Sequence, residues 1–247
     1  ATRPDYHQEI TTRLGALAER IKSITQEDVS CQICVDSAHL LEKDYAQASG
    51  LGWIGKNSCL TNPGQGSWLL LGELLLTIEL PPDAPISDSE CIDCLRCQMA
   101  CPTHALLPDR SVDARRCLSY LTIEHRGPIP EEFRPLLGTR VFGCDTCQTA
   151  CPQTSKQPLN SWAEPHISPH PSLLEELALD EAAFREKYAG TPVLRARHQG
   201  YRRNVVIALG NSREPGVLPI LQATLENEQD PIIKEALSWS IRKLTQL

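Results

Sequence analysis

Cys91-Ile-Asp-Cys94-Leu-Arg-Cys97-Gln-Met-Ala-Cys101-Pro102 is the stretch from which the rest of the chain is read. A shorter echo follows as Cys144-Asp-Thr-Cys147-Gln-Thr-Ala-Cys151-Pro152, and Cys117 lies between the two. Runs spaced Cys-x2-Cys-x2-Cys-x3-Cys-Pro hold [4Fe–4S] clusters, three cysteines on one cluster and the fourth reaching to another. The second run has only three cysteines, because Val141 stands where a fourth would fall. Cys117 can supply the missing ligand. Together these positions offer eight thiolates, enough for two cubane clusters.

Two other readings compete. Zinc sites also use Cys-x2-Cys pairs. Here four cysteines fall within eleven residues and are followed by Pro, which overfills one tetrahedral site. Disulfides suit small secreted chains. This chain has 247 residues, an odd number of cysteines (11), and an N-terminal sequence, Ala1-Thr2-Arg3-Pro4-Asp5, without signal-peptide form. A reducing cytoplasm is the expected location.

Hydrophobic residues make up 41% and charged ones 22%, an ordinary balance that excludes disorder as the default. The longest apolar stretch, Trp68 to Leu80, is broken by Gly72, Glu73, Thr77 and Glu79, too short a run for a membrane span. The net charge of −7 argues against general nucleic-acid binding, although a local basic run lies near residue 200.

Ahead of the cysteine region, Ile10, Leu14, Leu17, Ile21 and Ile24 form one stripe at helical period, with Asp5 as its N-cap. Tyr6 and His7 in the first turn read as packing or surface residues. Residues 29–36 predict a strand ending at Asp36, and Ser37 to Ser49 a helix stopped by Gly50. The glycine-rich segment Gly50-Leu-Gly-Trp-Ile-Gly-Lys-Asn57 allows backbone to approach a bulky ligand, but it lacks P-loop spacing. Residues 67–80 read as one strand or two. Cys31, Cys34 and Cys59 read as small buried side chains, with a thioredoxin-type pair as the competing reading of the first two.

Asp113 to Thr122 looks helical and would carry Cys117 to the centre. Glu131 to Leu137 reads as a short helix. Residues 158–172 read as a proline-rich linker, in which His166 and His170 are surface residues. Beyond it the pattern is helical: a capping-box start at Ser172, a helix from Asp180 to Tyr188, then three helices between Val205 and Leu244. The echo of Arg203-Asn-Val-Val-Ile-Ala-Leu-Gly210 in Lys234-Glu-Ala-Leu-Ser-Trp-Ser-Ile-Arg242 suggests HEAT-like hairpins. The expected fold is α+β in three parts: 1–83, an α/β portion; 84–157, a ferredoxin-like two-[4Fe–4S] domain; and 158–247, helical repeats.

Clusters carry electrons without saying where they go. A pure carrier needs little beyond residues 91–151, so the flanking sequence argues for a substrate or second cofactor. Several motifs together resemble the epoxyqueuosine reductase family. They are the two cysteine runs, Arg116-Cys-Leu-Ser-Tyr-Leu-Thr122, Pro4-Asp-Tyr-His7, Val35-Asp36, the Gly50–Asn57 segment and the helical tail. That resemblance implies reduction of the epoxide of epoxyqueuosine to the alkene of queuosine at the tRNA wobble position, with cobalamin and two [4Fe–4S] clusters. It implies that Cys91, Cys94, Cys97 and Cys151 hold one cluster and Cys101, Cys117, Cys144 and Cys147 the other. It makes Asp36 the general acid, a carboxyl kept protonated by burial, where residue types alone favour an N-cap.

The same resemblance places Asp36, Lys56, Leu60, Leu71, Cys144 and Asp145 near the corrin. It adds an electron donor such as flavodoxin or ferredoxin, and a further N-terminal portion of the family that helps to enclose cobalamin. The basic run Arg195, Arg197, His198, Arg202 and Arg203 would meet tRNA phosphates, with a solvated helix face as the other reading. The remaining functional alternatives are a reductive dehalogenase-like cobalamin enzyme acting on a small molecule, and an electron carrier with a helical docking module. Anaerobic reconstitution should recover about eight irons per chain; about four, or stoichiometric zinc, would overturn the two-cluster reading.

Overall fold

The structure, a computed structural model, describes residues 3–25, 28–86, 91–155, 167–168, 170–214 and 216–246. Helix α1 spans Tyr6–Thr25, and the backbone N–H of His7 donates to Asp5 Oδ1 (3.0 Å), the expected cap. Strand β1 (Cys31–Cys34) follows, then α2 (Glu42–Ala48), β2 (Trp53–Ile54), β3 (Leu60–Thr61) and β4 (Glu73–Leu76). β1 pairs antiparallel with β4, Cys34 opposite Glu73, and β2 pairs antiparallel with β3.

Two sequence expectations shorten here. Of residues 67–80 only Glu73–Leu76 form a strand, because β1, the sole strand they pair with among the described residues, is four residues long. The helix expected from Ser37 starts only at Glu42. Asp36 has a left-handed backbone (φ 47°), and the Ser37 N–H closes on the Val35 carbonyl (2.5 Å). Asp36 is therefore not a helix cap.

In the cysteine region, α3 (Arg96–Ala100) and α4 (Leu118–Ile123) precede a 3₁₀ turn at Glu131–Phe133 that runs into α5 (Arg134–Leu137). Then come α6 (Thr146–Thr149) and α7 (Pro152–Ser155). The helix expected over 113–122 begins instead at Leu118, with Cys117 as its N-cap residue. Most of the proline-rich stretch from 158 to 172, His166 included, lies outside the described residues, while His170 is exposed.

The tail holds α8 (Leu173–Leu177), α9 (Glu181–Lys187), α10 (Arg197–Ser212), α11 (Val217–Asn227) and α12 (Pro231–Thr245). Asp180 accepts from the Ala183 N–H, and Asp230 from those of Ile232 and Ile233, so α9 and α12 have side-chain caps. Ser172 makes no such bond. Glu176, one residue past the capping-box position Glu175, turns inward and is fully buried on Tyr188 Oη (2.8 Å), Tyr201 Oη (2.9 Å) and Lys187 (2.5 Å). A carboxylate with three donors is satisfied without water.

The main hydrophobic core forms around α10, whose residues Val205 to Leu209 are all inaccessible. Leu118, Leu121, Phe133 and Leu137 from the cysteine region join Leu221, Leu237 and Trp239 from the tail in this one core. The architecture is mostly helical with a few short antiparallel strands.

The α10–α12 crossing is the tightest point. A Cβ at Gly210 would lie 2.5 Å from Ser240 Oγ and 2.9 Å from its Cα, and Ser240 Oγ donates to the Val206 carbonyl across the same seam (2.9 Å). Gly210→Ala should gain about 1 kcal/mol of helix propensity and lose more by forcing the backbones apart, an overpacking cost at the upper end of about 1–3 kcal/mol. The melting temperature should fall by about 2–4 °C; a rise would show that the seam can open freely.

Candidate functional site

Each cysteine run is a loop that becomes a short helix. Cys91 and Cys94 precede α3, Cys97 sits in its first turn, and Cys101 ends it, its N–H bonded to the Cys97 carbonyl (3.1 Å). The second run repeats this around α6: Cys144 before it, Cys147 within it, Cys151 after it, and Pro152 opening α7. Pro suits a first helical position because it has no N–H to satisfy. α3 packs against α6.

This packing interleaves the runs. One cavity of about 470 Å³ is lined by Cys91, Cys94 and Cys97 of the first run and Cys151 of the second. Burial pushes the Cys97 thiol up to about 11, and the neighbouring Cys91, Cys151 and Cys94 add to it. Cys147 is raised to about 12, chiefly by burial and then by Cys59, Cys144 and Cys117. Crowded thiols of this kind ionise when a cationic core compensates their charge, as metal binding does. Burial also opposes ionisation of Cys101, but the Ala105 N–H on its sulfur (3.3 Å) and Thr103 outweigh it and hold its pKa low. Cys144, Cys147 and Cys117 thus form a second neighbourhood, and Cys101 ends the helix packed against it. Thiols dominate both places, with Asp93 the one carboxylate lining the first cavity, a set that suits iron–sulfur clusters.

A second constellation surrounds Asp36. Its Oδ2 meets His7 Nε2 at 3.1 Å and Arg195 Nη1 at 2.9 Å. His7 Nδ1 lies 2.6 Å from Asp5 Oδ1, so the imidazole bridges two carboxylates and can donate to both only as imidazolium. His7 is raised above the usual histidine value: burial works against it, and the bonds to Asp5 and Asp36 prevail. Tyr6 stacks on His7 (ring centroids 4.2 Å apart), and burial followed by the Asp36 charge pushes its hydroxyl up to about 12. Arg195 also binds Glu124 at 2.9 Å.

The expectation of an Asp36 kept protonated by burial is corrected here. Burial raises its pKa, but His7 and Arg195 outweigh burial and leave it below the ordinary carboxylate value. Asp36 is a carboxylate at neutral pH, and His7 is the member of the array whose protonated form its neighbours favour. Sequence reading missed this role of His7. The Pro4-Asp-Tyr-His7 motif was the only available signal, since Arg195 pairs with Asp36 across 159 positions.

Asp36, Leu60 and Leu71 line one cavity of about 220 Å³, while Cys144, Asp145 and Arg195 line an adjoining one of about 810 Å³. Tyr6 and Leu70 belong to both, and burial holds Asp145 above the usual carboxylate range. Lys56 is not among them. Its backbone N–H points at Cys91 Sγ (3.4 Å) and its Nζ at the Ile92 carbonyl (2.6 Å), beside the first cysteine cavity. Trp68 (39% exposed) and Leu70 (50%) leave an open apolar wall over the larger cavity.

The basic run is not a continuous phosphate track. Arg203 is 1% exposed and donates to the carbonyls of Leu121 (2.8 Å), His125 (3.0 Å) and Gly127 (2.5 Å), so it cannot reach a tRNA phosphate. Arg202 pairs with Glu228, and His198 contacts the Leu179 carbonyl (2.8 Å). Arg197 is exposed.

Fold and site together define an iron–sulfur redox protein, and residues 90–154 match a family described as a 4Fe-4S double cluster binding domain. An epoxyqueuosine reductase of Shewanella oneidensis is 39% identical over 96% of this chain, and one of Pseudomonas aeruginosa 39% identical over 97%. The structure of epoxyqueuosine reductase from Streptococcus thermophilus superposes with a TM-score of 0.90 at 32% identity, covering 99% of this chain and 65% of that one. A crystal structure of epoxyqueuosine reductase with an epoxyqueuosine-modified tRNA-Tyr stem loop gives 0.85 at 29% identity, covering 98% of this chain and 73% of that one. The chain belongs to the epoxyqueuosine reductase family. It spans 62% of the Shewanella relative's length and 67% of the Pseudomonas relative's. Among the described residues no helix is long and apolar enough to cross a membrane.

Glu73 adds a titration that the sequence did not suggest. Its Oε2 is buried without a partner, and burial, then the charge and hydrogen bond of Glu42, raise it to about 7. Glu42 Oε1 meanwhile accepts the Asp36 N–H (2.5 Å). An acid raised in the folded state costs stability as pH climbs from its unfolded value through its folded one. Glu73→Gln should therefore melt above the parent protein at pH 8, with the gap closing towards pH 5. An equal gap at both pH values would place the effect elsewhere.

Proposed function

We propose that this chain carries the reducing centre of an enzyme that converts epoxyqueuosine to queuosine at the tRNA wobble position, the last step in forming that base. Conversion of an epoxide to an alkene takes two electrons and two protons and releases the oxygen as water. The proposal rests on one observation above all: a proton-holding array, Asp5–His7–Asp36–Arg195, lies beside the cavity that also reaches Cys144 of the cluster region.

In this reading Cys91, Cys94, Cys97 and Cys151 hold one [4Fe–4S] cluster, and Cys101, Cys117, Cys144 and Cys147 the other. The thiol neighbourhoods described above support that division. The open apolar wall of Trp68 and Leu70, next to Cys144 and Asp145, suits the broad corrin face of cobalamin. When bound there, cobalamin would supply a strongly reducing metal centre for the epoxide carbon. Leu60 and Leu71 would line the substrate side.

The chain's own residues manage the proton. His7 holds it between two carboxylates, Asp36 orients the imidazole and receives the proton in transit, and Arg195 keeps Asp36 ionised until transfer. Of the basic run, Arg197 would meet a tRNA backbone, while Arg195 is held by Asp36 and Glu124 and Arg202 by Glu228. The 1–83 portion is assigned to cobalamin, 84–157 to the clusters, and the HEAT-like 158–247 tail to tRNA. A cytoplasmic flavodoxin or ferredoxin would refill the clusters.

The test uses full-length protein with reductant, cobalamin and epoxyqueuosine-bearing tRNA, and follows loss of one oxygen by mass. Asp36→Asn and His7→Gln should each slow turnover by about 10²-fold, the usual weight of a general acid, with iron content unchanged. Turnover should decline as pH rises through the elevated His7 pKa, and His7→Gln should flatten that limb. Unchanged rates in both variants would remove the array from the mechanism.

A further inference from the structure

The loop between β2 and β3 contains a buried amide that is only half used. Asn57 is 5% exposed, and its Oδ1 accepts the backbone N–H of Cys59 at 3.2 Å. That bond fixes which end of the amide is oxygen. The other end, Nδ2, is buried and has no partner among the described residues. Such a donor is costly to bury and is retained only where something satisfies it.

Its surroundings show what that would be. Asn57 lines the same cavity as Cys91, Cys94, Cys97 and Cys151. The residue before it, Lys56, already directs its backbone N–H at Cys91 Sγ (3.4 Å) and anchors Nζ on the Ile92 carbonyl (2.6 Å). The loop is shaped around the amide. A Cβ at Gly55 would fall 2.7 Å from Asn57 Oδ1 and 3.1 Å from Thr61 Oγ1, so only glycine lets the turn close over it. Further bonds tie the turn down: the Gly55 N–H on the Cys59 carbonyl (2.9 Å), the Ser58 N–H on the Gly55 carbonyl (2.9 Å), and Ser58 Oγ on the Arg110 carbonyl (2.5 Å). Among the described residues the only other buried side-chain polar atom without a partner is Glu73 Oε2, a carboxylate oxygen that lines a different part of the molecule.

We infer that Asn57 Nδ2–H donates to a sulfur of the [4Fe–4S] cluster held by Cys91, Cys94, Cys97 and Cys151, and so sets that cluster's potential apart from its neighbour's. Hydrogen bonds to cluster sulfurs stabilise the more negative, reduced state and raise the midpoint. The effect is confined to one cluster because Asn57 lines the cavity of Cys91, Cys94, Cys97 and Cys151. It rests on the two-cluster reading, and the measurements below separate failure of one from failure of the other.

The chain is reconstituted anaerobically with iron and sulfide and titrated with dithionite under EPR. Asn57→Asp keeps the oxygen that Cys59 uses but replaces the donor with an acceptor. Asn57→Leu removes the donor without adding charge. Both should keep about eight irons and lower one midpoint only. For Asn57→Asp the reduced-to-oxidised ratio of that cluster should fall about tenfold at fixed potential, or about 59 mV, and Asn57→Leu should move it less. A direct readout uses the parent protein with asparagine labelled by ¹⁵N at the side-chain amide, in which pulsed EPR of the reduced cluster should show nitrogen coupling. Unchanged midpoints, an equal shift of both clusters, or no coupling in the labelled protein would overturn the inference. Recovery of about four irons in the parent would instead overturn the two-cluster reading itself.

Discussion

Arg203 and Asn204, adjacent in the middle of α10, hold the cysteine region to the tail. Among the described residues the Arg203 guanidinium has no carboxylate partner. It sits on carbonyls at and beyond the end of α4, those of Leu121, His125 and Gly127, where the helix dipole is negative. Burial, then Arg126 and Arg134, lower its pKa to about 10, which leaves it charged at neutral pH. Asn204 Nδ2 donates to Thr122 at the far end of the helix that starts after Cys117, and to Val141 just before Cys144 (2.8 and 2.9 Å). Thr122 Oγ1 accepts the Gly143 N–H (2.9 Å) and closes the loop. Two cysteines that lie 27 positions apart in sequence, Cys117 and Cys144, thus inherit their spacing from a helix near the end of the chain. The tail is part of the scaffold of the cluster region.

That dependence accounts for the shared core. Leu118 and Leu121 of α4, with Phe133 and Leu137 beyond it, are buried among α10 and α12 residues. The segment before the cysteines is bound differently, by polar contacts more than by a large apolar core. α1 reaches the rest through the Asp5 N–H on the Gly190 carbonyl (2.8 Å) and through His7 and Asp36 to Arg195. Its outer residues, Leu41, Leu70 and Leu75 among them, stay exposed. The cysteine region shares the main core, and the segment before it presents a more open face.

The sequence made local features legible and left distant ones hidden. Cysteine spacing is local, and it led to the family that the comparisons bear out. α11 and α12 were readable from helical periodicity, α10 only from Val205 although it begins at Arg197, and the cap at Asp180 from residue type alone. The extent of β4 was not, because a strand is only as long as its partner. The delayed start of α2 was hidden for a related reason: Asp36 is drawn out of helical geometry by contacts with His7 and Arg195. The same limit explains the basic run. Arginines near residue 200 look alike in sequence, yet Arg203 is buried on carbonyls, Arg202 is paired, and Arg197 faces solvent. Only the fold separates them. The ionised state of Asp36 follows from a pair formed across most of the chain, and no window of sequence contains it.

The ion pair between Arg195 and Asp36 also makes the array around His7 a long-range assembly. The cysteine loops meet where α3 packs on α6, with Cys117 and Cys144 held through α10 as well. The proton-holding site requires the first helix, the turn after β1 and the start of the helical tail to be in place together. The Arg195–Asp36 contact joins residues 159 positions apart, so the arrangement around His7 exists only where distant parts of the chain meet.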